Sequence, residues 1–98
     1  MQLHNQSLAK RFRDYRRNAA TRSLAFELTR EQFAELTERP CSYCGTTEHV
    51  GVDRIDSSLG YIMTNVQPAC SVCNLMKSRF GEDMFLQQIA RIARHRRL

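Results

Sequence analysis

The fold of this chain is decided by residues 41–77, which read CSYCGTTEHVGVDRIDSSLGYIMTNVQPACSVCNLMK. The segment begins with the pair Cys41 and Cys44 and ends just after the pair Cys70 and Cys73, with 25 residues between the two pairs. Four soft sulfur ligands are the set that tetrahedral structural zinc prefers, and zinc held by four thiolates has no open position for chemistry. The spacing therefore predicts a structural zinc site, which we call the zinc clip.

The rest of the sequence supports this interpretation of the cysteines. No apolar run approaches the roughly 20 residues that cross a bilayer, and the N-terminus lacks the apolar core of a secretory signal. We therefore expect a reducing, cytoplasmic setting and no membrane partner. In such a compartment two spaced CxxC pairs favour a metal site over disulfides, redox chemistry or buried unliganded thiols.

Between the two cysteine pairs the pattern changes to short β-like pieces. VGVDRID at 50–56 and YIMTNV at 61–66 are separated by the turn signal SSLG, which predicts a β-hairpin. Asp53 would lie on its first arm and Asn65 near the end of its second. A helix is expected over about 71–79, starting inside the second cysteine pair. Zinc would then tie the foot of the hairpin to that helix.

Helices are predicted on both sides of this segment. An apolar stripe at positions 8, 12, 15 and 19 favours a helix over roughly residues 7–20. After the extended piece LAFEL, Thr29 and Gln32 carry the capping-box signature of a second helix, which should stop before Pro40. A last helix should begin at Glu82, with a buried stripe made of Phe85, Ile89 and Ile92.

Positive charge is concentrated at the two ends of the chain. Residues 1–30 carry a net charge of +5 and residues 76–98 one of +4, whereas residues 31–75 carry −4. Two basic arms around an acidic centre suit a polyanion, and nucleic acid is the commonest one; solvated helix faces are the alternative. The candidate nucleic-acid contacts are Arg11, Arg13, Arg16, Arg17, Lys77, Arg79 and Arg94.

The motifs CxYCG, VDRID, GYxxxNVxPxC and CxxCNxxK follow one another in this order. In this combination residues 41–77 resemble the zinc-clipped, phage-type branch of the HNH endonucleases, also called His-Me finger or ββα-metal nucleases. The upstream stretch AATRSLAFELTREQFAELTERPC looks like the helices that often precede CxYCG in small members. The resemblance implies one α+β domain over 1–98. It would have a basic helical extension at 1–40, a zinc-clipped ββα core at 41–80 and a basic C-terminal helix at 81–98.

The resemblance also implies roles for polar residues of the core. Asp53 and Asn74 would bind one catalytic divalent cation, and Asn65 would orient the general base. Lys77 would contact a phosphate. Oxygen ligands of this kind suit Mg²⁺ or Mn²⁺ rather than zinc. Without the resemblance these residues have structural interpretations. Asp53 and Asp56 would form an ion pair around Arg54, and Asn65 would be a turn residue. Asn74 would cap a helix, and Lys77 would be an exposed lysine.

The chain departs from the family at Arg54, where members usually have the histidine that acts as general base. An arginine stays protonated and cannot act as a base, although it can bind a phosphate and stabilise transition-state charge. The base would then be His49, Asp56 or a cation-bound water. On an extended strand His49 would lie on the same face as Asp53 but roughly 13 Å away, and Asp56 would point to the opposite face.

The candidate catalytic residues are therefore Asp53, Arg54, Asn65, Asn74 and His49. They support a metal-dependent DNA endonuclease that hydrolyses phosphodiester bonds with little sequence specificity. The alternative is a catalytically impaired HNH-like module that binds nucleic acid without cutting. A third class is a protein-binding inhibitor on the same scaffold, so both a protein partner and the oligomeric state stay open. The expected setting is the host cytoplasm if the chain is virally encoded.

Overall fold

The computed structural model describes residues 7–98, so residues 1–6 of the predicted N-terminal extension lie outside the described part. The architecture is α+β, as predicted, with four α-helices and a two-stranded antiparallel sheet over residues 7–98. In chain order the elements are α1 Leu8–Thr21, α2 Arg30–Glu38, β1 Val50–Arg54, β2 Val66–Cys70, α3 Ser71–Lys77 and α4 Glu82–Arg96. No helix within 7–98 is both long and apolar enough to cross a membrane.

The first helix, α1, forms because Ser7 caps it and an apolar stripe faces the core. The Ser7 hydroxyl accepts a hydrogen bond from the Lys10 backbone N–H at 3.1 Å, which satisfies one of the free donors of the first turn. Phe12 and Ala19 of the predicted stripe are buried. Phe12 meets Phe33 of α2 edge to face with ring centroids 5.6 Å apart, so the two helices share one aromatic core with β1.

The second helix, α2, has the predicted capping box. The Thr29 hydroxyl accepts from the Gln32 N–H at 3.0 Å, and the Gln32 side chain accepts from the Thr29 N–H at 2.9 Å. Phe33 and Leu36 are buried, which places α2 against the sheet. The helix ends at Glu38, before Pro40, as the sequence indicates.

The sheet pairs β1 with β2 so that Asp53 lies opposite Gln67 and Val50 opposite Cys70. The predicted position of the second arm was wrong. Residues 61–65 form no strand: Tyr61 makes a single bridge to Phe26, and Met63–Asn65 is one turn of 3-10 helix. The strand begins only at Val66, because the preceding residues are held by side-chain hydrogen bonds to the 56–60 loop.

The last two helices differ in how much of them is buried. α3 begins at Ser71, as predicted, directly after β2, and ends at Lys77. In α4 only Phe85 is buried, with its ring 5.1 Å from that of Tyr43. The predicted buried stripe was wrong for Ile89 and Ile92, which are 37% and 44% exposed, because no other element between residues 7 and 98 covers that part of α4.

Candidate functional site

The four cysteines lie together as the sequence predicted, and they can hold a metal ion. Their Sγ atoms all lie within 4.8 Å of one another. Cys44 Sγ and Cys70 Sγ are 3.7 Å apart, close to the roughly 3.8 Å edge of a tetrahedron with zinc–sulfur bonds of about 2.3 Å. The N–H groups of Tyr43 and Cys73 point at the sulfurs of Cys41 and Cys70, each at 3.4 Å. Donors of this kind stabilise thiolate, so this donor set fits a structural zinc.

Without a cation the pKa values of Cys41 and Cys73 shift in opposite directions. Burial opposes ionisation of Cys41, yet hydrogen bonds from the backbone N–H groups of Cys70, Cys44 and Tyr43 outweigh it and lower its pKa to about 6. Burial raises the pKa of Cys73, and its hydrogen bonds to the neighbouring sulfurs raise it further. A divalent cation removes the repulsion between adjacent thiolates.

Asp53 lies in the interior, bound by groups from three other elements. Its Oδ1 accepts from Lys77 Nζ at 3.0 Å, and its Oδ2 accepts from the Tyr43 hydroxyl at 2.9 Å. Asp53 is 3% exposed and Lys77 1%. Lys77 Nζ also donates to the Arg54 carbonyl at 2.8 Å. Sequence reasoning placed Lys77 on a phosphate, whereas its ammonium lies on the carboxylate expected to bind the catalytic cation.

This arrangement does not fit a divalent cation on Asp53. Both carboxylate oxygens accept strong hydrogen bonds, one of them from an ammonium that already neutralises the charge. A cation there would stand beside the buried positive charge of Lys77, and like charges at close range repel strongly where water is excluded. Asp53 as arranged is therefore the partner of a buried ion pair.

The Asp53 carboxylate belongs to a wider polar network that sequence reasoning missed. Gln67, its cross-strand partner, donates to the Tyr43 hydroxyl and to Glu82 Oε1, both at 2.8 Å. Burial raises the pKa of Tyr43, and its hydrogen bond to Asp53 raises it further. The network joins the zinc clip, both strands, α3 and the start of α4. The one available sequence signal was the placement of polar Gln67 between apolar residues of a strand.

Arg54 points away from this network and holds a loop. Its Nη1 donates to the carbonyls of Ser57 at 2.5 Å and Leu59 at 3.0 Å. Its guanidinium carbon lies 5.5 Å from the centroid of the Tyr61 ring, a distance typical of a cation–π contact. Arg54 is 8% exposed. The Arg54 side chain therefore stabilises the turn after β1.

Asn65 fastens the same loop from the other side. Its Oδ1 accepts from the Asp56 N–H at 2.9 Å, and its Nδ2 donates to the carbonyls of Asp56 and Gly60 at 3.1 and 3.0 Å. Asp56 itself is exposed, and hydrogen bonds from the Ser58 hydroxyl and N–H lower the pKa of its carboxyl. Both side chains are thus used within the loop.

Two adjoining clefts lie beside β1 and α3. The larger, of about 530 Å³, is lined by residues that include His49, Gly51 and Arg11. The smaller, of about 260 Å³, is lined by residues that include Asp53, Arg54 and Lys77. The residues common to both are Arg22, Tyr61, Asn74 and Leu75. His49 and Asp53 therefore belong to different clefts, which meet at Asn74.

His49 enters the larger cleft from just before β1, with its backbone at φ 56°. This left-handed conformation is uncommon for a residue with a side chain. It ends the extended backbone, so the sequence expectation of His49 and Asp53 on one face of a continuous strand is not how the chain arranges them. His49 is partly buried.

A solved structure of the rare-cutting HNH restriction endonuclease PacI, described for an extraordinary mechanism of DNA perturbation, is similar to this chain. The TM-score is 0.70 at 28% sequence identity, over 93% of this chain and 81% of that one. The chain has the HNH endonuclease fold. The likeness extends through the flanking helices as well as the zinc-clipped core, which agrees with the resemblance carried by the motifs.

This HNH-fold chain is also 33% identical over 95 residues to an uncharacterized protein, R423, of Acanthamoeba polyphaga mimivirus. The match covers 94% of this chain but only 18% of the viral protein. The chain therefore spans less than a fifth of that relative. No protein-family model matches the sequence.

The basic residues of the HNH-fold chain fall into two groups. Arg11 is partly buried, and its Nη2 donates to the Val50 carbonyl at 2.7 Å. Arg17 pairs with Asp14 at 2.9 Å. The remaining arginines among the predicted nucleic-acid contacts are exposed at the surface: Arg13 and Arg16 of α1, Arg79 between α3 and α4, and Arg94 of α4.

Proposed function

We propose that this chain is a DNA endonuclease that hydrolyses phosphodiester bonds with little sequence specificity. The observation that carries the proposal is the likeness to an HNH restriction endonuclease along nearly the whole described chain, at a TM-score of 0.70. The zinc clip would be structural, since four thiolates leave zinc no open position. Any reaction would therefore take place in the clefts.

DNA as the substrate is supported by the distribution of charge. The exposed arginines of α1 and α4 give the two ends of the chain a positive surface. Such surfaces bind the phosphate backbone by releasing counterions, so affinity falls with salt and carries little sequence information. This is the binding mode that we propose.

The reaction centre would lie where the two clefts meet, at Asn74. His49 lines the larger cleft and is the proposed general base, because an imidazole nitrogen can accept a proton whereas the Arg54 guanidinium cannot. Dependence on Mg²⁺ or Mn²⁺ belongs to the proposal as the family resemblance implies it, with Asn74 as a ligand. The resemblance makes Asp53 the second ligand, which its arrangement does not fit. In the described arrangement Asp53 binds the Lys77 ammonium instead, so we derive no catalytic step through such an ion.

The second candidate is an HNH-fold module that binds DNA without cutting it. One specific observation favours it. Asp53, which would bind the cation, is part of a buried ion pair, and Arg54, at the position of the base, holds a loop by hydrogen bonds. Asp53 is neutralised by Lys77, and Arg54 donates to two carbonyls. Both residues then serve stability, and the clefts bind phosphates only.

Incubation of purified protein with supercoiled plasmid separates the two candidates. Parallel reactions contain Mg²⁺, Mn²⁺ or a chelator that spares the tightly held zinc. Nicking that depends on Mg²⁺ or Mn²⁺ supports the metal-dependent endonuclease, and nicking in all three conditions supports cation-independent cleavage. Salt-sensitive DNA binding without nicking in any condition would exclude the enzyme and leave the binding module.

The variant Asn74→Ala makes this assay specific to the site. Asn74 is partly exposed and its side chain makes no hydrogen bond with residues 7–98, so its loss should leave the fold intact. Gln87→Ala, an exposed amide on α4, is the matched control. If the chain cuts DNA at this site, Asn74→Ala abolishes nicking and Gln87→Ala does not. Asp53→Ala is unsuitable as the diagnostic variant, because it leaves the Lys77 ammonium buried without its partner.

A further inference from the structure

The cations that line the two clefts are almost all engaged by the chain itself. They are Arg11, Arg22, Arg54 and Lys77. Arg11 donates to the Val50 carbonyl at 2.7 Å, and Arg54 donates to two loop carbonyls. Lys77 binds Asp53 and the Arg54 carbonyl. The side chains of Arg11, Arg54 and Lys77 therefore form hydrogen bonds that stabilise the fold.

Arg22 is the exception among these cations. It is exposed, it lines both clefts, and its guanidinium forms no hydrogen bond or ion pair with any residue from 7 to 98. The guanidinium presents five N–H donors in a planar fork that matches the oxygens of a phosphate. Arg22 is therefore the cleft cation that has all of its donors available to a bound anion.

The end of α1 fixes the position of Arg22. The Leu24 N–H donates to the Ala19 carbonyl at 2.8 Å, closing the helix, and Ser23 takes the left-handed backbone at φ 56°. Ala19 is 1% exposed, so the turn is anchored in the core. The backbone of Arg22 is thus rigid, and only its side chain has to be ordered when a ligand binds, which limits the entropy cost.

The groups around Arg22 suit an anion. Asn74, which lines the same two clefts, adds an amide donor. The one carboxylate of the larger cleft, Asp14, is already paired with Lys10 at 2.8 Å and Arg17 at 2.9 Å. Its charge is therefore compensated and does not repel an incoming phosphate.

We propose that Arg22 and Asn74 form a phosphodiester-binding site where the two clefts meet. The ligand is one phosphate of a DNA backbone, held by the Arg22 fork with Asn74 beside it. This inference rests on the proposed function only in naming DNA as the source of the phosphate, and it does not require that the strand is cut.

The test is binding of a fluorescently labelled DNA duplex, followed by anisotropy over a series of salt concentrations and without added Mg²⁺ or Mn²⁺. Arg22→Ala should weaken binding by about tenfold or more, because it removes a charge-assisted hydrogen-bonded contact. It should also lower the slope of log affinity against log salt by about one phosphate equivalent. Arg22→Lys should fall between, since an ammonium lacks the fork.

Arg13→Ala is the matched control, because Arg13 is an exposed arginine of the same helix that lines neither cleft. It should weaken binding by less than about threefold, as a general surface charge does. If Arg22→Ala and Arg13→Ala bind alike while the wild type binds DNA, the site is wrong and the proposed function stands. If the wild type does not bind DNA at low salt, both are overturned.

Discussion

The buried ion pair between Lys77 and Asp53 allows a quantitative prediction. Lys77→Met removes the ammonium but keeps an unbranched chain, and it leaves the Asp53 carboxylate in the interior at 3% exposure. That carboxylate then keeps only neutral donors, the Tyr43 hydroxyl at 2.9 Å and the Gln67 amide at 3.4 Å. Removing one partner of a buried pair costs about 3–5 kcal/mol, because an uncompensated charge stays buried.

A loss of this size is large for 98 residues, since small domains unfold with a free energy of about 5–15 kcal/mol. It lowers the melting temperature by roughly 12 °C or more, at about 4 °C for each kcal/mol. Asp53→Asn should cost a similar amount, because it leaves the Lys77 ammonium without its counter-charge at 1% exposure. The double variant buries no charge, so its loss should fall about 2 kcal/mol short of the sum of the two single losses.

Denaturant unfolding followed by circular dichroism, with zinc at one fixed excess, measures these free energies. Lys10→Met is the matched control, because Lys10 forms the same kind of pair with Asp14 at 2.8 Å while remaining 51% exposed. Exposed pairs contribute little to stability, so this variant should unfold like the wild type. Equal stabilities of Lys77→Met and Lys10→Met, or additive losses from Asp53→Asn and Lys77→Met, would refute the reasoning.

Three further predictions test other parts of the molecule. Metal analysis should find about one zinc per chain, and Cys41→Ser should lose both the zinc and the fold of residues 41–77; an intact fold without zinc would contradict the zinc clip. Burial raises the pKa of Tyr15 above its ordinary value, so the folded state holds this proton more tightly and stability should fall as pH rises above about 10. In unfolding experiments at alkaline pH, the stability of Tyr15→Phe should fall less steeply with pH than that of the wild type. An unchanged dependence of stability on pH would count against the role of Tyr15. A Cβ on Gly60 would lie 2.5 Å from the Ala25 carbonyl oxygen, so Gly60→Ala should cost about 1–3 kcal/mol in denaturant unfolding. Gly81→Ala, where a Cβ meets nothing within 4 Å, is its control, and equal losses from the two would exclude the close contact.

The features that could be predicted from the sequence are those determined by near neighbours. The capping box of Thr29 and Gln32 depends on two residues three positions apart. The start of α3 at Ser71 follows from the cysteine pair in which it begins. The cysteines themselves form a cluster because metal-ligand spacing is a strong local signal. In each case the chemistry of a short segment allows few conformations.

The second strand could not be placed in this way, because its start depends on side-chain contacts at longer range. The β-like composition of residues 61–66 favours a strand, but the Asn65 side-chain amide donates to the carbonyls of Asp56 and Gly60. The Tyr61 N–H donates to the Ala25 carbonyl. Tyr61 and Asn65 are therefore hydrogen-bonded to LAFEL and to the 56–60 loop, and pairing with β1 begins only at Val66.

The directions of the charged side chains were also beyond the sequence pattern. Lys77 lies four residues after Cys73, and both are on the buried face of α3, so the spacing held a signal that this lysine points inward. Arg54 gave no such signal, because neighbouring residues of a strand point to opposite faces and either face of β1 is buried. Amphipathic periodicity likewise predicts which face of α4 is apolar, but not whether anything covers it.

The Asp-Arg pair of β1 thus serves the interior of this HNH-fold chain. Asp53 neutralises Lys77, and Arg54 holds the loop after the strand. Arg54→His would therefore loosen that loop without restoring a base beside a cation, since Asp53 would still bind the ammonium. Arg22 and Asn74 can bind a phosphate but cannot remove a proton from water. Among the residues that line the two clefts, His49 has the side chain suited to that step, because an imidazole nitrogen can accept a proton. The proposed hydrolysis would therefore depend on the larger cleft, and position 54 would not decide it.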